Sequence, residues 1–245
     1  IKIIAAPWTC PLWMKVKSLE DLTPLTTWTS GQLNPAYYQD YATYFVKWVQ
    51  AFKAEGIDIY AVTPQNEPLN HGNSASMYMS WEEQRDFVKT ALGPQFKAAG
   101  LDTKIYAYDH NYDYSNLEAE KQYPVKIYGD SDASQYIAGA AYHNYGGDRE
   151  ELLEIHKAYP EKELLFTETS IGTWNSGRDL SKRLLEDMKE VALGTVNNWC
   201  KGVIVWNLML DNDRAPNREG GCQTCYGAVD ISNSDYKTII RNSHY

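Results

Sequence analysis

The chain has little positive charge and no long apolar run, and both absences exclude classes of partner. Its 245 residues carry 23 Lys and Arg against 32 Asp and Glu, which gives a formal net charge of −9. No basic stripe is available to neutralise phosphates, so nucleic acid and anionic membrane surfaces are poor candidate partners. No apolar stretch approaches the ~20 residues that a transmembrane helix needs. The opening "IKIIAAPWTC" also lacks the charged region and the cleavage site of a signal peptide.

Cysteine is scarce as well. The chain has four, Cys10, Cys200, Cys222 and Cys225, and only the last two are close in sequence. A zinc site needs four ligands, and neither a second Cys-x-x-C nor a close pair of histidines occurs, so we expect no metal site. Cys222 and Cys225 form either a local disulfide or two free thiols. A disulfide would indicate an oxidising compartment, and we expect a secreted or periplasmic protein.

Apolar, β-branched runs alternate with amphipathic segments along the chain. The clearest helix follows the cap Asn34-Pro35 and ends at Gly56, and the next begins with the capping box Ser80–Glu83. Gly93-Pro94 is expected to kink or split that second helix. Two more helices are predicted at 149–158 and 179–199, with Gly194 as a possible break, and a loop with a short helix at 111–130. The predicted strands lie at 1–7, 58–64, 104–109, 136–144, 163–169 and 202–208.

This alternation predicts parallel strand pairing, and hence an α/β fold that is either a doubly wound sheet or a (β/α)8 TIM-type barrel. No G-x-G-x-x-G follows a strand and no G-x-x-x-x-G-K-[ST] occurs, which favours the barrel. Six strands do not close an eight-stranded barrel. We therefore expect residues 1–245 to form one catalytic β/α-barrel domain that is partial, with segments absent at both ends. A smaller open α/β sheet is the alternative.

Polar and aromatic residues collect where the predicted strands end. In a barrel the carboxyl ends of the strands meet at one rim, where catalytic groups lie. A single strand-end glutamate is usually a solvated residue, but here two different strands each end on one. The rim candidates are Trp8, Asn66, Glu67, Asp109, His110, Asn111, His143, Tyr145, Glu168, Trp206 and Asn207.

Two carboxyl groups facing each other across a barrel mouth can cleave a glycosidic bond, one as an acid and the other as an ionised nucleophile. The amide of Asn66 is placed to hold a sugar hydroxyl, which favours Glu67 as the acid/base. Thr167, Thr169 and Tyr145 are placed to donate hydrogen bonds that keep Glu168 ionised, which favours Glu168 as the nucleophile. An excess of 19 Tyr and 8 Trp over 5 Phe suits stacking on sugar rings.

Four segments resemble glycoside hydrolase family 30, which includes glucosylceramidase-like enzymes and β-1,6-glucanases. They are "APWTCPLWMK", "VTPQNEP", "LFTETS" and "VIVWNLML", and they follow the family's order. The resemblance implies a retaining β-glycosidase with its acid/base on the fourth strand, matching Glu67, and its nucleophile on the seventh, matching Glu168. The positions that contact sugar in the family match Trp8, Asn66, His143, Tyr145 and Trp206.

The same resemblance makes "IKIIAAPW" similar to the third strand of the family. The first two strands and a β-sandwich side domain are then expected to lie outside this sequence. "GGCQTCYGAVD" is similar to the loop after the last strand in bacterial members, which implies a Cys222–Cys225 bridge.

The leading hypothesis is a monomer that hydrolyses β-glucosidic bonds in β-1,6-glucan, glucosylceramide-like lipids or related β-glucosides by double displacement. Such a hydrolase needs no metal and no organic cofactor. A related hydrolase of xylan or fucosides is the first alternative. The second is a catalytically silent carbohydrate-binding protein, against which the presence of both glutamates argues. For individual residues the competing interpretation is structural: His143 as a satisfied core histidine, and Trp8, Trp206, Trp13 and Trp174 as packing residues.

Overall fold

Thirteen strands and eight α-helices make up the computed structural model, which describes all of residues 1–245. The strands are β1 (Ile3–Ala5), β2 (Lys15–Val16), β3 (Gln32–Leu33), β4 (Ile59–Val62), β5 (Lys104–Asn111), β6 (Ile137–His143), β7 (Glu163–Glu168), β8 (Ile171–Gly172), β9 (Cys200–Val203), β10 (Met209–Asp211), β11 (Cys225–Tyr226), β12 (Val229–Ile231) and β13 (Ile239–Arg241). The α-helices are α1 (Tyr38–Ala54), α2 (Trp81–Phe87), α3 (Gly93–Ala98), α4 (Tyr123–Tyr128), α5 (Ser131–Ser134), α6 (Glu151–Ala158), α7 (Leu180–Glu186) and α8 (Leu193–Val196).

Six of these strands form one parallel sheet in the order β1-β4-β5-β6-β7-β9. Spatial order follows chain order, as strand–helix–strand crossovers require. All six predicted strands are therefore confirmed, but the last one is wrong in its bounds because β9 ends at Val203. Beyond it, the N–H groups of Ile204 and Trp206 still bond to the β7 side, at Phe166 and Thr169. These bonds span unequal numbers of residues on the two sides, so the ladder becomes irregular before Trp206.

The predicted helix caps are present. The Asn34 side chain accepts a hydrogen bond from the N–H of Ala36, and the chain then enters a 3₁₀ turn and α1. Gly56, with φ of 79°, follows the helix in the left-handed conformation that favours glycine. Ser80 and Glu83 form the reciprocal capping box at the start of α2.

Two helices contain a π-helical segment in their middle. Val88–Leu92 joins α2 to α3, and Asp187–Ala192 joins α7 to α8. The helix predicted to be interrupted at Gly93-Pro94 changes to a π segment just before these residues. The wider π turn accommodates Pro94, which has no N–H to donate. The predicted break at Gly194 is wrong, since α8 continues through it to Val196.

Alternate residues of the strands face two different environments. Ala61, Tyr106, Ala141 and Leu165 form a small cluster on one side of the sheet, without any helical residue. Their neighbours along each strand point to the other side, where a 36-residue core packs the sheet against the helices. Helices cover a single face, whereas a doubly wound sheet needs them on both. The architecture is therefore a curled sheet of barrel type, with its carboxyl-end rim on one side.

Gly139 permits the close approach of β6 to β7. A side-chain carbon on Gly139 would overlap the backbone carbonyl of Glu163, which cannot move without breaking the sheet. We expect Gly139→Ala to lower the free energy of unfolding by about 1–3 kcal/mol in urea titrations. Gly202→Ala on β9 is the matched control, because its added carbon would lie 3.5 Å from Leu165 in ordinary contact. Equal effects of the two substitutions would contradict this account of the strand approach.

Candidate active site

Glu67 lies beyond the end of β4 in a conformation that few non-glycine residues adopt. Its φ is 46°, and such left-handed residues cost about 1–3 kcal/mol unless their surroundings hold them. Two backbone bonds do so: the N–H of Glu67 donates to the carbonyl of Asp109 at 2.9 Å, and the N–H of Asn70 donates to the carbonyl of Glu67 at 2.9 Å. The turn thereby directs the Glu67 side chain to the rim.

Asp109 is turned inward by a bulge in β5. Tyr108 and Asp109 have φ of 74° and 76°, and the pairing with β6 shifts register at this point. Bulges of this kind re-aim side chains at barrel rims. The buried Asp109 carboxylate accepts hydrogen bonds from the hydroxyls of Thr63 at 2.7 Å and Thr167 at 2.6 Å, and lies 3.0 Å from Nε2 of His143.

His143 connects Asp109 to Glu67. Its Nδ1 lies 3.5 Å from Oε1 of Glu67 and has no other protein partner. Burial alone would lower the pKa of His143, but Asp109 and Glu67 outweigh it and raise the pKa to about 10. Burial lowers the pKa of the neighbouring His110 to about 4, so that ring stays neutral. His143 is therefore an imidazolium held between two carboxylates.

The second oxygen of Glu67 is bound by two amides. The side chains of Asn70 and Asn73 donate to Oε2 at 2.7 and 2.8 Å. Burial alone would raise the pKa of Glu67, but His143 and the Asn70 amide leave it below its ordinary value. Glu67 is therefore ionised in the resting site.

Glu168 ends β7 with a different set of neighbours. The hydroxyl of Tyr145 donates to its Oε1 at 3.0 Å and also lies 2.6 Å from the hydroxyl of Ser170. The expectation that Thr167 bonds to Glu168 is wrong, because the Thr167 hydroxyl donates to Asp109. Burial, together with the charges of Glu67 and Asp109, raises the pKa of Glu168 to about 7. Tyr145 thus donates as expected, but its hydrogen bond does not offset burial and the nearby carboxylates.

The two glutamates converge on one cavity. Glu67, Glu168 and His143 each present a polar atom within 4.8 Å of the other two. The cavity measures about 700 Å³, which suits a small-molecule ligand. Its wall includes Trp8, Glu67, Asn70, Asn73, Tyr145, Glu168, Trp174, Trp206, Asn207 and Arg218.

Not every predicted site residue reaches this wall. Trp8 and Trp206 do, with ring centroids 5.4 Å apart, and so does Tyr145. His143 lies behind Glu67 and Asn66 is buried beside it, so neither forms part of the cavity wall. Trp13 is 61% exposed and packs edge-on against Tyr37, away from the cavity.

Sequence reasoning missed the amides that hold Glu67. Asn70 and Asn73 lie three and six residues after it in "NEPLNHGN", and an asparagine repeated at this spacing after a candidate acid was the available signal. It also missed Lys15, a buried lysine whose ammonium donates to the carbonyls of Thr27, Trp28 and Ser76. Burial lowers the pKa of Lys15 to about 8. These bonds fix the end of the loop that carries both asparagines.

The Cys222–Cys225 bridge that the resemblance to family 30 implies is present. Cys222 and Cys225 form a disulfide, whereas Cys10 and Cys200 are buried free thiols.

Glu67, His143 and Glu168 have a spacing that a metal ion could use. In the metal-free site the imidazolium of His143 instead pairs with Glu67 and Asp109.

Curled parallel strands with two facing carboxyls at the carboxyl-end rim define the class of barrel glycoside hydrolases. Residues 1–234 match the model of the glycosyl hydrolase family 30 TIM-barrel domain, and the chain belongs to this family. The match decides between the two sheet alternatives: the fold is a (β/α)8 TIM-type barrel represented by six β/α units.

The similar proteins include endo-1,6-β-glucanases and putative glucosylceramidases. The solved structure of the endo-β1,6-glucanase BT3312 is 86% identical with a TM-score of 0.99, and the match covers 100% of this chain and 54% of that one. The endo-1,6-β-D-glucanase BGN16.3 of Trichoderma harzianum is 35% identical, with 96% of this chain and 46% of the relative covered. Putative glucosylceramidase 4 of Caenorhabditis elegans is 30% identical, with 89% and 42% covered. The chain thus spans about half the length of these relatives.

None of the helices combines the length and the apolarity that crossing a membrane requires.

The opposite pKa shifts of the two glutamates predict opposite effects on stability. Because the pKa of Glu168 is raised, stability is lost as pH rises from the unfolded-state value through about 7, where a buried site must accept the charge. Glu168→Gln removes this loss, so we expect it to raise the free energy of unfolding by roughly 1–3 kcal/mol at pH 8 and by little at pH 4. Urea titrations at both pH values measure the difference.

Glu67→Gln is the matched control. Its pKa is lowered, so its ionised form contributes stability that is present above the unfolded-state pKa and lost in acid. We expect this variant to be less stable than the parent at pH 8. Stabilisation by both substitutions, or by neither, would contradict the charge assignment.

Proposed function

We propose that this protein is a retaining glycoside hydrolase that cleaves β-1,6-glucan, and that residues 1–245 act as one catalytic domain. The single observation that carries the proposal is the pair Glu67 and Glu168, whose oxygens approach within 4.8 Å at one cavity wall. Retaining enzymes hold their carboxyls about 5–5.5 Å apart, whereas inverting enzymes need roughly 6.5–9.5 Å to admit a water. Endo-1,6-β-glucanases among the relatives support the choice of linkage.

In the first step Glu67 is the acid and Glu168 the nucleophile. Glu67 gives its proton to the glycosidic oxygen as the bond from that oxygen to C1 breaks, and an oxygen of Glu168 forms a bond to C1. In the second step Glu67, now a carboxylate, takes a proton from water while the water oxygen attacks C1 and releases Glu168. Two inversions at C1 give net retention of configuration.

In the resting site the proton lies on Glu168 and not on Glu67, which is the acid of the first step. The pKa of Glu168 is raised to about 7, whereas the pKa of Glu67 is lowered, so at pH values between the two the proton lies on Glu168. The pair therefore carries the one proton that the reaction needs, and the reactive form has it on Glu67 instead. Positive charge developing at C1 beside Glu168 favours this exchange, as does the hydrogen bond from Tyr145, which stabilises the carboxylate form.

Asp109 and His143 act as positioning residues. The Asp109 carboxylate keeps His143 charged, and His143 lies behind Glu67 on the side away from the cavity. A fixed positive charge there favours the Glu67 carboxylate that is formed when the leaving group departs. Trp8 and Trp206 are proposed to stack on the sugar, and Tyr145 to bind its hydroxyls. Contact between Asn66 and a sugar hydroxyl stays a prediction, because Asn66 does not form part of the cavity wall. Direct sugar contact by His143 stays a prediction.

The Cys222–Cys225 disulfide supports a secreted or periplasmic location, where such bonds persist. A monomer is proposed. Glucosylceramide is the second candidate substrate, favoured by the similarity to the putative glucosylceramidase, because both substrates present a β-glucosyl unit to the glutamate pair.

We expect hydrolysis of β-1,6-glucan to release products whose new reducing end is initially the β-anomer. Proton NMR during the first minutes of digestion distinguishes it from the α-anomer that an inverting enzyme would give. Glucosylceramide and xylan, tested in parallel, establish substrate class. Initial release of the α-anomer, or binding of glucan without any cleavage, would overturn the proposal.

The two glutamate roles are separated by leaving-group ability. Glu168→Gln should abolish turnover of every substrate, whereas Glu67→Gln should retain most activity on aryl β-glucosides with good leaving groups, which need little protonation. Equal loss for both variants on an activated aryl glucoside would reverse or remove these assignments.

Asp109→Asn should move the acidic limb of the kcat/KM profile to higher pH. Without the aspartate charge His143 loses its proton more readily, and Glu67 then loses the cation that lowers its pKa. The pH dependence of kcat/KM on an aryl glucoside reports the shift, and nitrogen NMR of His143 reports its protonation.

Thr63→Val is the matched control, since it removes one hydrogen bond to Asp109 but leaves the charge in place. We expect Thr63→Val to lower kcat/KM on the aryl glucoside without moving the acidic limb of its pH profile to higher pH. A limb that stays in place in Asp109→Asn would show that Asp109 acts only on the structure.

A further inference from the structure

The segment after β10 crosses the cavity and forms part of its wall. We call residues 212–225 the arch. It leaves the sheet after Asp211 and returns at β11, which pairs with β8 at Cys225 and Gly172. Between these ends it approaches the loop that carries the Glu67 amides: a side-chain carbon on Gly220 would lie 3.4 Å from Cβ of Ser74. The arch therefore joins the two glutamate-bearing sides of the rim.

Several bonds fix the arch in place. The Asp211 carboxylate accepts from the N–H groups of Asp213 and Ala215, both at 2.8 Å. At the other end the N–H of Thr173 donates to the carbonyl of Thr224 at 2.9 Å, next to the Cys222–Cys225 disulfide. A wall held at both ends keeps its side chains in position before a ligand arrives.

Two arginines of the arch, Arg214 and Arg218, have N–H donors without a protein acceptor, and of the two only Arg218 lines the cavity. Arg218 lines the cavity, and its guanidinium makes no hydrogen bond or ion pair with the rest of the chain. Arg178, by contrast, pairs with Asp230 and Asn242. A guanidinium offers five N–H donors, and sugar hydroxyls and ring oxygens can accept them.

Trp174 lies on the same wall and is 38% exposed. A side-chain carbon on Gly172 would overlap the Trp174 ring, so the absence of a side chain at this position lets the indole pack directly on the backbone. An indole fixed in this way and exposed to a cavity is suited to stack on the C–H face of a sugar. The structure also leaves room for it, since the cavity of about 700 Å³ exceeds what one hexose fills.

We propose that Arg218 and Trp174 form a second sugar subsite, which binds the glucosyl unit next to the one held at Glu67 and Glu168. The proposal rests on the hydrolase function proposed above and adds its specificity: the arch selects a chain of sugars over a single glucoside. The disulfide contributes by holding the arch, and hence Arg218, at the cavity.

The test compares a substrate that fills one subsite with substrates that fill two. β-Glucosyl fluoride has one sugar and a leaving atom that needs no protonation, whereas β-1,6-linked gluco-oligosaccharides reach the arch. Arg218→Ala should lower kcat/KM about tenfold more for the oligosaccharides than for the fluoride, the equivalent of one hydrogen bond to a charged donor. Trp174→Ala and the double variant Cys222→Ser/Cys225→Ser should show the same selective loss.

Glu219→Ala is the matched control, because Glu219 is the exposed neighbour of Arg218 and does not line the cavity. Circular dichroism and thermal unfolding establish that each variant is folded. Equal losses on both substrates, or no loss on either, in a folded Arg218→Ala variant would overturn the subsite. Failure of the unmodified protein to cleave either substrate would instead overturn the hydrolase function on which the subsite rests.

Discussion

His143 carries a buried positive charge between the carboxylates of Asp109 and Glu67, and the rim depends on this interaction. Asp109, Glu67 and Glu168 all lie near it, and like charges this close would otherwise drive one another to the protonated state. The cation lets Glu67 stay ionised while Glu168 holds a proton. Two chemically identical side chains thus differ in protonation because one faces an imidazolium and two amides, whereas the other faces a phenol.

Much of the fold could be predicted from local pattern. Apolar runs with β-branched residues located all six barrel strands, and the caps at Asn34 and Ser80 located two helix starts, since both signals act over a few neighbouring residues. The end of β9 and the π segments escaped prediction. The end of β9 depends on how its hydrogen bonds meet β7, and the first π segment depends on how a helical turn adapts to Pro94. The structure gives no such residue for the second π segment.

The candidate site was predictable where position along a strand decides direction. Glu67 and Glu168 stand at strand ends and meet at one cavity, as the alternation of strands and helices implied. Hydrogen-bond partners that depend on an irregular backbone could not be predicted. The bulge at Tyr108 and Asp109 turns the aspartate toward His143, and Asp109 then accepts the hydrogen bond from the Thr167 hydroxyl that was expected to go to Glu168. Long-range partners of a single hydroxyl cannot be read from its sequence neighbours.

Lys15 links parts of the rim that are distant in sequence. Its ammonium binds the carbonyls of Thr27, Trp28 and Ser76, and the last of these closes the loop of Asn70 and Asn73. The segments 15–31 and 67–76 are consequently one module for recombination. A chimera that grafts the second segment onto another barrel without the first would leave the Ser76 carbonyl without its lysine donor, and the graft would lose the shape that orients Glu67.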